Sequence, residues 1–182
     1  DAEMRLAALE LDGDQPASAR RRLGEAIGRY EALAITEQHE PHWRAVLSDA
    51  WALAAEADYA RGDYDAARIA MEKALQARLV LAARHDGEAW ALAGLWRTRG
   101  ALRAALGDHD VARESFAQAR NMAEQLYARA TADEPAARFL MRTLLESADH
   151  ALNTRDLNAA REAADSARML AESFAQQKGE AW

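Results

Sequence analysis

Chemistry needs ionisable or nucleophilic side chains held together, and few in this chain are spaced to meet. His39, Glu40 and His42 stand in the run HEPH. Two imidazoles and a carboxylate begin a metal site, but no further ligands follow at a zinc-like spacing. They read as linker residues, and no metal is expected. His85, His109 and His150 are scattered, each near a helix end or on a polar face, and read as caps or surface groups. Asp49 and Glu56 are seven apart and share one face of a helix. General acid–base work needs two carboxyls facing each other across a cleft, so a solvated charged face is the plainer reading. The chain has no cysteine, hence no thiolate nucleophile, disulfide framework or Cys-type zinc site. It also has no Gly-rich phosphate loop, no nucleophile elbow and no serine with an evident base. No catalytic residue and no cofactor are assigned. The chain reads as a non-enzyme, and any catalytic domain would lie elsewhere in a longer protein.

Composition narrows the rest. The chain has 182 residues, 50% hydrophobic and 29% charged, with a formal charge of −7 and a pI near 5.3. That suffices for one ordinary domain or one array of repeats. The acidic balance argues against nucleic acid and anionic membranes, and the Arg20-Arg21-Arg22 triplet wraps around a helix instead of forming a stripe. No apolar run approaches the roughly 18 residues of a membrane span. Absence of cysteine suits cytoplasm and periplasm alike, with the cytoplasm favoured. Ala supplies 47 residues against 9 Gly and 3 Pro, which favours helix nearly everywhere, and no alternation marks a strand. Helical periodicity is already running at the first residues, and the final GEAW repeats the letters of Gly87 to Trp90. The expectation is a fragment of a larger protein, with 179–182 opening a further unit. An excess of 21 Arg over 2 Lys, with so much Ala, points to a GC-rich bacterial genome.

Internal periodicity is the strongest signal. Turn signals stand at Gly13-Asp14, Gly62-Asp63, Gly107-Asp108 and Arg155-Asp156, at steps of 49, 45 and 48 residues. Eleven residues before the last three lie Trp51, Trp96 and Leu144, and four residues after those come the small Ala55, Gly100 and Ala148. Beyond the turns Ala67, Ala112 and Ala160 are followed at fixed offsets by Met71, Phe116 and Ala164, then by Ala74, Ala119 and Ala167. The first unit follows with one inserted residue, as Ala19, Leu23 and Ala26. Pro16, Pro41 and Pro135 fall at helix starts, and Asp14, Asp63, Asp108 and Asp156 suit N-capping. These signals place helix pairs at about 2–11 with 16–34, 42–61 with 64–84, 88–106 with 109–131, and 135–153 with 156–177. Gly24 and Gly28, a G-x3-G, suggest close helix packing.

Trp96, Gly100, Gly107, Asp108, Ala112, Phe116 and Ala119, with the stretch Tyr59 to Leu75, resemble the tetratricopeptide repeat. The period is longer than the family's usual 34, like its long-helix bacterial variant, in which an aromatic (here Trp43, Trp90, Phe139 and Trp182) opens the first helix and seals the junction between units. The resemblance implies an all-α fold: a right-handed superhelical array of about four antiparallel helix pairs, in units of about 1–36, 41–84, 88–131 and 135–177. It places Trp51 and Trp96 in the core between paired helices. It also implies a concave face built from the first helix of each pair, lined by Asp49, Glu56, Tyr59, Arg97, Arg142, Asp149 and Asn153 with small residues between. Such a groove binds a peptide or helix of a partner protein, with Arg97 and Arg142 meeting carboxylates. The family's clamp for chaperone tails is missing, since the matching positions hold Ala52, Glu56, Thr98, Arg142 and Glu146. Two alternatives stand beside the scaffold: self-assembly into homo-oligomers, and a ligand- or peptide-sensing module of a larger signalling protein.

Overall fold

Leu, Ala, Arg and Glu dominate every segment between the turn signals, so local propensity and apolar spacing point to the same helices. The computed structural model describes residues 2–37, 40–129 and 133–179. Among them are eight α-helices and no strand: α1 (Ala2–Asp12), α2 (Pro16–Thr36), α3 (Pro41–Ala60), α4 (Tyr64–Ala82), α5 (Ala89–Ala105), α6 (His109–Arg129), α7 (Glu134–Asn153) and α8 (Leu157–Gly179). A single 3-10 turn, Asp86–Glu88, precedes α5. Pro16 and Pro41 are the first residues of their helices and Pro135 the second of α7, where a missing N–H costs no hydrogen bond.

The chain divides into two compact units, residues 1–95 and 96–182, and the division falls within α5. In the first, α1 packs on α2, α2 on α3 and α3 on α4, and α1 also meets α3. In the second, α6 packs on α7 and α7 on α8, while the α5 backbone approaches α6 at Gly100 and Phe116. Sequence neighbours are therefore spatial neighbours within each unit.

Four turns share one hydrogen-bond pattern. Around Gly62, Arg61 N–H donates to Ala57 O, Gly62 N–H to Tyr59 O and Asp63 N–H to Asp58 O, at 3.1, 2.9 and 2.9 Å. The same three bonds recur around Asp14, Gly107 and Arg155. Asp14, Gly62, Gly107 and Arg155 all have positive φ, between 56° and 80°, so they are equivalent left-handed residues. This corrects the reading of the first unit, which has no inserted residue. Counted from Asp14, Ala19, Leu23 and Ala26 fall at the offsets of 5, 9 and 12 that Ala67, Met71 and Ala74 keep from Gly62. Ala7 joins Ala55, Gly100 and Ala148 seven residues before the turn, and all four are buried. Asp14 is accordingly no cap: it fills the left-handed slot, and Gln15 precedes α2 without a side-chain cap bond. Asp63 and Asp156 do cap, accepting from Ala66 N–H at 3.3 Å and Ala159 N–H at 3.1 Å.

Most core positions hold Ala, so helix axes come close and little room remains for larger groups. Among the repeated apolar positions around the turns, Ala164 is exposed and Trp51 and Trp96 are half-buried. Gly24 and Gly28 do not mediate packing. A Cβ on Gly28 would meet nothing within 4 Å, and one on Gly24 only Arg20 Nη1 at 3.5 Å, so no neighbouring helix packs against either. Gly100 is different, since a Cβ there would stand 2.9 Å from two ring carbons of Phe116. Gly100→Ala is expected to destabilise by about 1–3 kcal/mol through overpacking, whereas Gly28→Ala stabilises by up to about 1 kcal/mol through helix propensity. Urea unfolding followed by circular dichroism distinguishes the two signs.

Candidate functional site

In the first unit α1 and α3 leave a groove of about 470 Å³ between them. Met4, Ala8, Ala45, Val46 and Leu53 give it an apolar floor, and Arg5, His42 and Asp49 charge or polarise its rim. Of the predicted residues, Asp49 thus lies on a groove. Its carboxylate is also claimed from within: it accepts from Nη2 of Arg78 on α4. Desolvation pushes the Asp49 carboxyl up more than the Arg78 charge holds it down, with Glu88 adding a smaller upward push. Glu56, two turns along α3, is exposed, and its carboxyl is pushed up by desolvation and then by Asp12. Tyr59 is 39% exposed, and its ring lies 5.6 Å from that of Tyr64.

In the second unit Arg97 and Arg142 come together on one carboxylate. Nη1 of Arg97 donates to Glu146 Oε1 at 2.6 Å, and Nε of Arg142 to the same oxygen at 2.9 Å. The Arg97 guanidinium also lies 5.9 Å from the Phe139 ring centre. The sequence offers both arginines to a ligand's carboxylates, but Glu146 already neutralises part of that charge. Arg142, with its side chain 68% exposed, keeps more freedom than Arg97 at 17%. Asp149 and Asn153 are exposed on α7.

The aromatic residues divide. Trp43 opens α3 as expected and lies on Tyr30 of α2, ring centres 6.4 Å apart, while its indole N–H donates to Glu37 at 2.6 Å. Trp51 and Trp96 are half-buried rather than core. Lys73 Nζ sits 4.0 Å above the Trp51 ring and the Arg99 guanidinium 5.4 Å from that of Trp96, so each indole is sealed by a cation instead of a helix. Trp90 is 38% exposed. Phe139 packs against the core of Ala123, Leu140, Leu144 and Ala167. Trp182 and His39 lie outside the described residues. His42 stacks edge-on to Trp43 at 5.0 Å, and among the described residues no group of three His, Cys, Asp or Glu could hold a metal ion. Among those residues, too, no helix is long and apolar enough to cross a membrane.

Three buried polar groups escaped the sequence reading. Arg78 is 3% exposed and donates to Ser48 Oγ at 3.3 Å, Ala45 O at 3.0 Å, Glu88 at 2.5 Å and Asp49. Asp58 is 1% exposed and accepts from Arg20 and Arg61. His150, read as a surface group, is buried at 6%. Its Nε2 lies 3.2 Å from His109 O, and its ring is 5.6 Å from both His109 and Phe116. Arg78 interrupts an otherwise apolar stripe on α4 (Ala67, Met71, Ala74, Arg78, Leu81), and His150 follows Ala136, Leu140 and Thr143 on the buried stripe of α7. That interruption was the available signal.

Two consequences can be measured. Arg78→Met strands Asp49 and Glu88, but both reach solvent (54% and 24% side-chain exposure). The expected loss is therefore about 2–3 kcal/mol, below the ~3–5 of a fully enclosed pair, read from chemical denaturation. Burial, followed by the nearby charges of His109 and Arg113, lowers the His150 pKa against the upward pull of the His109 carbonyl. The unfolded chain then takes up the proton first. Stability should be full above the ordinary histidine pKa of about 6.5 and fall as the pH drops below it. Melting at pH 7.5 and 5.5 should show a decrease that His150→Phe reduces and His42→Gln leaves unchanged.

No protein-family model matches the chain, and no curated protein is significantly similar to it.

Proposed function

We propose that this chain is a tetratricopeptide-like scaffold module that holds a peptide or helix of a partner protein along its odd-numbered helices. The proposal includes the family's right-handed superhelical winding and no catalysis by the module itself. The observation that carries it is the α1–α3 groove, with an apolar floor and a rim of Arg5, His42 and Asp49. A half-buried apolar strip beside opposite charges suits an amphipathic segment, whose apolar anchors enter the floor while its polar side reads the rim. The repeated turn supports it as well, since successive helix pairs with one geometry are what such arrays stack. Leu6 at 46% and Leu9 at 64% exposure on α1 favour a second reading, in which a further copy of the chain occupies this region.

Ala8→Arg places a long cation in the groove at a half-buried small residue, and Ile69→Arg changes an exposed residue of α4 outside it. Both variants should keep wild-type helicity. In affinity capture from cells that encode the chain, a defined protein should be retained by the wild type and Ile69→Arg and lost with Ala8→Arg. Retention of one common set by all three would overturn the groove reading. Recovery of the bait alone, with a mass that rises with concentration in sedimentation, would put self-association in its place.

A further inference from the structure

The Arg20-Arg21-Arg22 run is split three ways by α2. Arg22 pairs with Glu10 of α1 at 2.8 Å, and Arg21 stays in solvent, 3.7 Å from Glu25. Arg20 turns to Asp58, where it meets Arg61 at the end of α3. Nε of Arg20 donates to both Asp58 oxygens at 2.9 Å, and Nη1 of Arg61 reaches Oδ1 at 3.4 Å. The Asp58 side chain is only 2% exposed. It anchors the two guanidinium groups from beneath without offering a carboxylate to the surface.

This anchoring leaves donors over. Both η nitrogens of Arg20, and Nε and Nη2 of Arg61, meet no acceptor among the described residues. With Arg21 they line an open pocket of about 450 Å³ between α2 and the α3–α4 turn. Gly24 leaves the wall bare, and Asp63 on the rim is engaged in capping α4 through Ala66 N–H. Three arginines against Asp58 and Asp63 leave this pocket at +1 within a chain of −7. One guanidinium edge, with its two parallel N–H groups, can satisfy a planar carboxylate. Donors arriving from several arginines in different directions match a tetrahedral oxyanion better.

We propose that the Arg20–Arg21–Arg61 pocket binds an oxyanion of the phosphate class, as free phosphate or a phosphate monoester. It is separate from the α1–α3 groove and does not depend on the scaffold reading. The test is isothermal titration of the whole chain with inorganic phosphate at pH 7.5, with chloride holding ionic strength constant. Phenyl phosphate forms a parallel arm and acetate is the planar control. Arg21→Gln touches neither Asp58 nor the core, and Arg61→Gln removes the weaker of the two Asp58 contacts. Saturable one-to-one phosphate binding is expected, absent with acetate. Each variant should weaken it about tenfold at unchanged helicity, the scale of one charge-assisted hydrogen bond. Tighter binding of phenyl phosphate assigns the site to monoesters, and weaker binding assigns it to the free ion. No saturable binding, equal binding of acetate, or unchanged binding in the double variant would each overturn the proposal.

Discussion

The left-handed residue between paired helices is the constraint on which the rest depends. Asp14, Gly62, Gly107 and Arg155 each end one helix with the same three backbone bonds and start the next within two residues. So short a connection fixes the rotational phase of the second helix against the first. Seven residues before the turn the first helix must then be small, and Ala7, Ala55, Gly100 and Ala148 occupy that place, all buried. Five residues after it stand Ala19, Ala67, Ala112 and Ala160, all buried too. A core of alanines gains little apolar area per residue, but it lets backbones approach until few voids remain.

Against so uniform a packing, the buried polar groups supply the distinctions. An alanine stripe slides along another with small penalty, whereas a desolvated guanidinium does not, because each N–H must keep its acceptor. Arg78 ties α4 to Ala45, Ser48 and Asp49 on α3 and to Glu88 before α5. Asp58 ties α3 to α2 through Arg20. In the second unit Ser115 accepts from Arg99 at 2.7 Å and donates to Val111 O, and His150 meets the His109 carbonyl.

Much of this architecture is legible in the residues, and the reasons are local. Proline at a helix start, Gly-Asp at a turn and an apolar stripe at helical spacing act within a few residues, so the limits of all eight helices agree to within about two residues. What could not be read are pairings across long separations. His109 and His150 stand 41 residues apart, Arg78 and Ser48 30, and Arg97 and Glu146 49, and only packing brings them together. Sequence pattern alone treats Arg97, Arg142 and Asp49 as free surface. Arg97, Arg142 and Asp49 instead hold partners of their own, because an acidic chain rich in arginine finds its counter-charges within itself. The misplaced tryptophans have a similar cause: Lys73 and Arg99 cover Trp51 and Trp96 with their stems and charges, a closure that apolar patterning does not show.

The four turns share a geometry but not a residue. Gly62 and Gly107 adopt positive φ without a steric cost, whereas Asp14 and Arg155 carry a Cβ into it, at about 1 kcal/mol each. The first and fourth hairpins therefore hold their shape against a standing strain that the second and third do not bear. The strain is released whenever those hairpins open. That strain lowers the cost of local opening at Asp14 and Arg155 relative to Gly62 and Gly107.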